Sequence, residues 1–136
     1  EKKSTEELIK EANKKRSTNP DACFSLLLFE SAAVACPGRK VINIQADGSG
    51  LYSPQALWTQ AKEGLDVITV ICSNRKYNIL NLELEKQKVT SASHAENLTN
   101  LSNPPINWVA LAEGFGVRSS KATTVAEFDQ QFKKAV

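Results

Sequence analysis

The chain has 136 residues, a length typical of one domain with its own hydrophobic core, and its 41% hydrophobic and 24% charged residues argue against intrinsic disorder. The net charge is only +2, and the basic residues lie mostly near the two ends, so nucleic-acid binding is not expected. No apolar run approaches the roughly 18 residues of a membrane span, and the start of the sequence lacks the apolar centre of a signal peptide. Three cysteines without CxxC spacing are typical of reduced thiols, so we expect a cytoplasmic protein without a zinc site.

The first part of the chain is predicted to be helical. Ser4 and Glu7 form a capping-box pattern, and apolar residues follow at helical spacing. The apolar, Ala-rich segment 24–36 (FSLLLFESAAVAC) favours a buried helix that ends at Pro37 and Gly38, although its first half is also compatible with a strand.

Two predicted strands follow, joined by a helix. Residues 40–45 (KVINIQ) are rich in β-branched side chains and lead into a Gly-containing turn over residues 46–50. Ser53 as N-cap and Pro54 at the first helical position then start a helix. Residues 66–72 (DVITVIC) are almost continuously apolar, as expected of a strand covered on both faces in a parallel sheet. The three elements predict a βαβ unit with a right-handed crossover.

The remaining residues are predicted to be mainly helical. Residues 73–88 fit a helix with Lys and Glu on its outer face, whereas residues 89–105 form a polar loop long enough to be mobile or functional. Residues 106–116 predict a short helix, and residues 117–122 a possible short edge strand. A second capping box at residues 124–127 opens a final helix.

Polar residues follow both predicted strands, at the edge where parallel sheets bind ligands. Residues 47–49 (DGS) come after the first strand and residues 73–75 (SNR) after the second. If the strands are neighbours, the Asp47 carboxylate and the Asn74 amide oxygen converge, and such oxygen ligands suit Mg²⁺. Gly48 would let a phosphate approach the backbone, next to the positive end of the following helix. Each residue alone is more readily explained by a turn, so the interpretation depends on the pair.

The order Asp47-Gly48, a gap of about 25 residues, then Asn74 resembles the G-D-G to N-N signature of thiamine-diphosphate-dependent enzymes. The surrounding residues 32–84 are similar to the diphosphate-binding domain of the acetolactate synthase and benzoylformate decarboxylase group. The later segments INWVALAEGFGV and ATTVAEFDQQF are similar to the closing part of that domain. The resemblance implies an α/β fold in which a parallel sheet has helices on both faces.

The resemblance also divides the chain, which we expect to be a single domain over residues 1–136. Residues 1–31 form a divergent helical lead-in, and residues 32–136 form the diphosphate-binding-like region. Relatives carry a glycine-rich segment before residue 32, which this sequence lacks. The first Gly of the signature is Ala46 here, and the first Asn is Ser73. We therefore expect a partial and divergent, incomplete version of the domain.

For the metal, the resemblance implies three oxygen ligands to Mg²⁺. Asp47 would bind through its carboxylate, Asn74 through its side-chain oxygen and Lys76 through its backbone carbonyl. For thiamine diphosphate, Gly48 and Ser49 would contact the diphosphate. Tyr77 is a candidate to line the cofactor site, although packing beneath the helix explains it equally well.

The function implied is that of a thiamine diphosphate and Mg²⁺ binding domain of an acetolactate synthase-like 2-oxo acid decarboxylase or carboligase. Relatives also use a pyrimidine-binding domain, whose glutamate activates the cofactor across a dimer interface. We therefore expect a homo-oligomer or a pyrimidine-binding partner domain, a small 2-oxo acid as substrate, and no catalysis by this chain alone. The alternative is a non-enzymatic assembly or regulatory module, or a truncated product, that keeps the fold without the cofactor.

Other chemistries have less support. A dinucleotide-binding domain would need a third glycine after Gly48 and Gly50, and an acidic residue to end the second strand. His94 lies in the polar loop, where a solvated residue is favoured over a general base or a metal ligand. Trp58 and Trp108 fall on apolar helix faces and are expected in the core or an interface.

Overall fold

The computed structural model describes residues 26–87 and 97–136. The helix predicted from Ser4, the thiol of Cys23 and the loop residue His94 lie outside these ranges. None of the described helices is both long and apolar enough to cross a membrane. In chain order the elements are α1 (Leu26–Ala35), β1 (Val41–Ala46), α2 (Asp47–Gly50), α3 (Ala56–Lys62), β2 (Val67–Cys72), α4 (Asn78–Lys86), α5 (Trp108–Gly114) and α6 (Val125–Ala135).

The two strands form a parallel pair, as the βαβ pattern predicts. Their register runs from Val41 opposite Val67 to Ala46 opposite Cys72, and α3 lies in the connection between them. The α/β class is therefore confirmed. Because the strands are parallel and in step, the residues that follow Ala46 and those that follow Cys72 leave the sheet side by side.

The core joins helices α1, α3 and α5 and lies beside the sheet. Helix α1 packs against α3 and against both strands. The side chains that form this core are Leu26, Ala56, Leu57 and Ala112, with Phe115 and Val117 partly buried against them. Trp58 was expected in the core or an interface, and the core placement is wrong. Its side chain is 53% exposed and stacks beneath the Lys62 ammonium, 5.2 Å from the ring centroid.

Strand β1 buries its polar side chains and exposes its apolar ones. Asn43 and Gln45 are 0% and 5% exposed, and the Asn43 amide donates to the Thr69 hydroxyl across the sheet at 3.5 Å. Ile42 and Ile44 point to the opposite face and are 45% and 69% exposed. Parallel strands usually have both faces covered, but β2 is only half-buried from Val67 to Ile71. Within the described part of the chain, the cover of β2 is therefore partial.

The connection between β1 and α3 differs from its prediction. Residues 47–50 form one turn of α-helix directly after the strand, rather than an irregular turn, and the Leu51 amide donates to the Asp47 carbonyl at 3.2 Å. Ser53 does not cap a helix: its buried hydroxyl has no hydrogen-bond partner among residues 26–87 and 97–136, and α3 begins at Ala56. The Ser53-Pro54 pattern predicts that a helix starts at Pro54. The structure instead has the helical turn α2 from Asp47, and α3 begins only at Ala56.

The edge strand predicted over residues 117–122 is wrong. The hydroxyl of Ser119 donates to the Val109 carbonyl at 3.1 Å, and the hydroxyl of Ser120 donates to Gln131 at 2.8 Å. These bonds fasten the segment to α5 and α6 instead of to a sheet. The second capping box is confirmed, because the Thr124 hydroxyl accepts from the Glu127 amide at the start of α6.

Helix α1 buries a carboxyl group that has no ion-pair partner among the described residues. Glu30 is 6% exposed, and its Oε1 atom accepts no hydrogen bond from the part of the chain that the structure describes. Burial raises the pKa of Glu30, and the neighbouring Gln60 amide opposes this rise only in part. The folded protein therefore keeps a proton on Glu30 at pH values where the unfolded chain has released it.

This proton makes the contribution of Glu30 to stability depend on pH. The contribution is fully present below about pH 4.3, the ordinary glutamate pKa, and is lost as the pH rises through the raised folded-state pKa. We expect Glu30→Gln, which cannot ionise, to be more stable than the wild type at neutral pH by roughly 1 kcal/mol. The difference should shrink on acidification.

Urea unfolding at a series of pH values, from about 4.5 to 7.5, measures this difference. Glu113→Gln removes an exposed carboxylate of α5 and is the matched control, because its difference from the wild type should stay nearly constant. A Glu30→Gln difference that does not change with pH would contradict the expectation.

Candidate functional site

The Asp47 carboxylate lies at the carboxyl end of β1 and is 1% exposed. One of its oxygens, Oδ1, accepts from the Gly48 amide at 2.9 Å. The other, Oδ2, accepts from the Ser73 hydroxyl at 3.0 Å and from the Arg75 amide at 2.6 Å. A carboxylate can accept about four hydrogen bonds. The three bonds described hold Asp47 in place and still leave it able to bind a cation.

The loop after β2 carries the second group of predicted ligands. The Asn74 side-chain oxygen accepts from the Lys76 amide at 3.0 Å, which closes a tight turn within the loop. Asn74 is exposed, and its Oδ1 atom keeps a second lone pair. No hydrogen bond within the described residues uses the Lys76 carbonyl. Since Ser73 and Arg75 both donate to Asp47, this loop lies directly against the Asp47 carboxylate, as the two predicted strands imply.

Tyr77 packs on Gly48. A Cβ atom added to Gly48 would lie 2.6 Å from Cδ1 and 2.7 Å from Cε1 of the tyrosine ring, far closer than van der Waals contact. Tyr77 itself precedes α4 and is half-buried. The missing side chain of Gly48 is therefore what lets the two loops approach each other, and packing is the role that the contacts show for Tyr77.

The turn α2 is fixed from two further sides. The Ser49 hydroxyl donates to Gln45 Oε1 at 2.7 Å and to the Ala46 carbonyl at 3.0 Å. A hydroxyl already engaged within the chain is a poorer donor to a diphosphate. On the other side, a Cβ atom at Gly50 would lie 3.0 Å from Cη2 of Trp108, so α5 packs closely on this turn.

One part of the site was missed by the sequence analysis, which treated residues 89–105 as one polar loop. The Tyr77 amide donates to the Thr99 carbonyl at 2.8 Å, and the Leu101 amide donates to the Arg75 carbonyl at 2.9 Å. Residues 99–101 therefore form a short antiparallel contact with residues 75–77. Thr99 is only 4% exposed, and a single sequence gave no signal that this polar residue would be buried.

The predicted metal ligands at this site are all oxygen atoms. Within the described ranges, no three His, Cys, Asp or Glu side chains come together. Cys36 and Cys72 are free thiols, as expected, but both are exposed rather than packed as small hydrophobic residues. One carboxylate, one amide oxygen and one backbone carbonyl are ligands typical of a hard cation such as Mg²⁺.

Comparison with known proteins agrees with this fold. Residues 30–136 match the family described as thiamine pyrophosphate enzyme, C-terminal TPP binding domain. The chain is 42% identical over 106 residues to a putative acetolactate synthase large subunit, IlvX, of Mycobacterium tuberculosis, covering 76% of this chain and 21% of that protein. It is 31% identical over 113 residues to benzoylformate decarboxylase of Pseudomonas aeruginosa, covering 83% of this chain and 20% of that protein.

Solved structures give the same result. The thiamine diphosphate-dependent 4-hydroxybenzoylformate decarboxylase of Rhodococcus jostii RHA1 superposes with a TM-score of 0.73 at 32% identity, over 83% of this chain and 20% of that one. Benzoylformate decarboxylase from Polynucleobacter necessarius gives a TM-score of 0.67 at 26% identity, over 81% and 20% of the two chains.

The chain belongs to the family of thiamine pyrophosphate enzymes, as a C-terminal TPP-binding domain. This confirms the family resemblance and, at the level of the family, the cofactor thiamine diphosphate. The chain spans about a fifth of the length of the relatives that it matches, so in them this domain is one part of a larger enzyme.

Proposed function

We propose that this chain anchors the diphosphate of thiamine diphosphate through Mg²⁺ held by Asp47, Asn74 and the carbonyl of Lys76. The observation that carries the proposal is the buried Asp47 carboxylate, held by three hydrogen bonds at the end of β1. Among the described residues, no cationic side chain is bonded to this carboxylate. A carboxylate that is removed from water at the ligand-binding edge of a parallel sheet suits a bound cation.

The donor chemistry supports this assignment. Mg²⁺ prefers oxygen ligands and is usually bound by one or two carboxylates together with the phosphates of its ligand. The site offers one carboxylate, one exposed amide oxygen and one backbone carbonyl that accepts no hydrogen bond from the described residues, all within two adjoining loops. This matches the number and the type of ligands that such an ion takes from a protein.

The residues of α2 would hold the diphosphate itself. Gly48 presents backbone without a side chain, and Ser49 follows it in the same turn. Tyr77 contacts Gly48, so it would border the cofactor rather than stand apart from it. When bound, thiamine diphosphate supplies the carbanion chemistry, whereas the protein supplies binding, orientation and electrostatics.

We further propose that the natural context is an acetolactate synthase-like decarboxylase or carboligase acting on a small 2-oxo acid. The names of the relatives support this class of reaction. The anchor described above contains no group placed to activate the cofactor. Catalysis would then need a pyrimidine-binding domain, from a second copy or from another part of the enzyme. Such an enzyme would belong to the lyases or transferases.

A non-enzymatic module that keeps the fold without the cofactor is the second candidate. It is favoured by Ala46 and Ser73, which replace the first Gly and the first Asn expected by resemblance. Ser73 nevertheless retains a hydrogen bond to Asp47 at 3.0 Å, so this replacement keeps the carboxylate in place.

Calorimetric titration separates the two candidates. Thiamine diphosphate added to the full chain should give binding heat with Mg²⁺ present and little heat after the metal is chelated. Saturating cofactor and Mg²⁺ should also raise the melting temperature, because a ligand that binds only the folded state stabilises it. A chain that shows neither heat nor a change in melting temperature would support the non-enzymatic module.

A further inference from the structure

Arg75, between the proposed ligands Asn74 and Lys76, has an uncommon backbone conformation. Its φ angle is 59°, and it is the one residue other than glycine with positive φ in the described part of the chain. This left-handed region costs free energy for any residue that has a Cβ atom. Neighbouring contacts must therefore hold Arg75 there.

Two hydrogen bonds made by the backbone groups of Arg75 hold the residue from opposite sides. Its N–H donates to Asp47 Oδ2 at 2.6 Å, and its carbonyl accepts from the Leu101 amide at 2.9 Å. The next contact along the same pairing is the Tyr77 amide donating to the Thr99 carbonyl at 2.8 Å. The left-handed residue is thus tied to the proposed metal ligand on one side and to residues 99–101 on the other.

The φ angle of Arg75 decides how the loop ligands face each other. The φ angle is the rotation about the N–Cα bond of Arg75, and changing it moves the later residues of the loop relative to the earlier ones. Asn74 lies before the bond and Lys76 lies after it, so the angle between the two proposed ligands depends on Arg75. A return to negative φ would also pull the Arg75 carbonyl away from Leu101.

We propose that Arg75 is a positioning residue of the proposed metal site, and that residues 99–101 hold it in its left-handed conformation. This inference rests on the proposed function. Cofactor binding and the pairing of residues 99–101 with the loop are then linked, since each favours the same loop conformation. Binding should protect the Leu101 amide from exchange with solvent, although Leu101 is not itself a proposed ligand.

Three substitutions at one position test the proposal, because all of them remove the guanidinium group and differ only in backbone freedom. Glycine enters the left-handed region freely, alanine resembles arginine there, and the β-branched valine is strongly disfavoured. We expect Arg75→Gly and Arg75→Ala to bind thiamine diphosphate with Mg²⁺ within about threefold of the wild type. Arg75→Val should bind about tenfold more weakly or worse, because less of it is in the competent conformation.

Arg39, an exposed arginine between α1 and β1 without positive φ, provides the matched control. Arg39→Gly, Arg39→Ala and Arg39→Val should all bind like the wild type. Hydrogen exchange is the second measurement: saturating cofactor should slow the Leu101 amide in the wild type by more than it slows the amides of α6, because any ligand of the folded state slows exchange through global unfolding everywhere. If Arg75→Val does not fold, the exchange rate of the Leu101 amide is compared between Arg75→Gly and Arg75→Ala without cofactor. The exchange should be slower in Arg75→Gly than in Arg75→Ala.

The outcomes separate this inference from the function on which it rests. A wild type that fails to bind thiamine diphosphate with Mg²⁺ overturns the proposed function and this inference together. Binding that is equal in the glycine and valine variants, or a Leu101 amide that does not respond to the cofactor, overturns the role of Arg75 alone.

Discussion

Asp47→Asn is expected to weaken Mg²⁺-dependent binding of thiamine diphosphate by roughly 100-fold or more. Mutation of a residue that only hydrogen-bonds to a metal ligand typically lowers metal affinity by about 10- to 100-fold, and Asp47 is itself a proposed ligand. The substitution removes the negative charge and puts an NH₂ group where a carboxylate oxygen now accepts. Donors approach from both sides, the Gly48 amide on Oδ1 and Ser73 with Arg75 on Oδ2. Whichever way the amide turns, a donor would face a donor, and the fold should lose about 1–3 kcal/mol.

Calorimetry with Mg²⁺ measures the affinity, and urea unfolding measures the loss of stability. Asp66→Asn is the matched control, because Asp66 is an exposed aspartate just before β2 whose carboxylate pairs with Lys40 at 3.2 Å. It should bind the cofactor like the wild type. Binding by Asp47→Asn within about threefold of the wild type would remove Asp47 from the list of ligands, whereas the same loss in Asp66→Asn would point to general charge effects.

Gly48→Ala is expected to destabilise the protein by about 1–3 kcal/mol, the usual cost of forcing an extra methyl group into a packed contact. The new Cβ atom would meet the Tyr77 ring at 2.6 Å, so the tyrosine and its loop must move. Movement of this loop would carry Asn74 and Lys76 away from Asp47. Cofactor binding should therefore weaken together with stability.

A double-mutant cycle on unfolding free energy tests the cause. Gly48→Ala made in a Tyr77→Ala background should cost far less than in the wild type, because the ring that blocks the methyl group is gone. Gly114→Ala is the control: no atom lies within 4 Å of a Cβ there, and the site is in helix α5, so stability should stay the same or rise. An equal cost of Gly48→Ala in both backgrounds would show that Tyr77 is not the obstacle.

The sequence was informative about the elements that create the site. β-Branched runs predicted both strands, and the capping box at Thr124 predicted the final helix, because local preferences and the tertiary fold agree there. The neighbouring positions of Asp47 and the loop of Asn74 followed from the condition that the two strands are neighbours, which the structure meets, because parallel strands end at one edge.

The remaining features depend on contacts between residues far apart in the chain. Thr99 is buried because it pairs with Tyr77, and Arg75 adopts positive φ because Asp47 and Leu101 hold it. Neither residue type has a local preference for that state. The exposure of Trp58 likewise depends on which helix face the rest of the fold covers, which helical periodicity cannot specify.

The alternation of side chains along β1 has a consequence for the fidelity of strand pairing. Asn43, Gln45 and Asp47 follow one another at every second position, so the polar face of the strand leads directly to the proposed ligand. A slip of one residue against β2 would turn Ile42 and Ile44 inward and carry the aspartate to the opposite side of the sheet. The same alternation therefore specifies both the pairing register of β1 and the position of the proposed ligand Asp47. A chain with β1 in the wrong register would also lack the proposed metal ligand at the end of the strand.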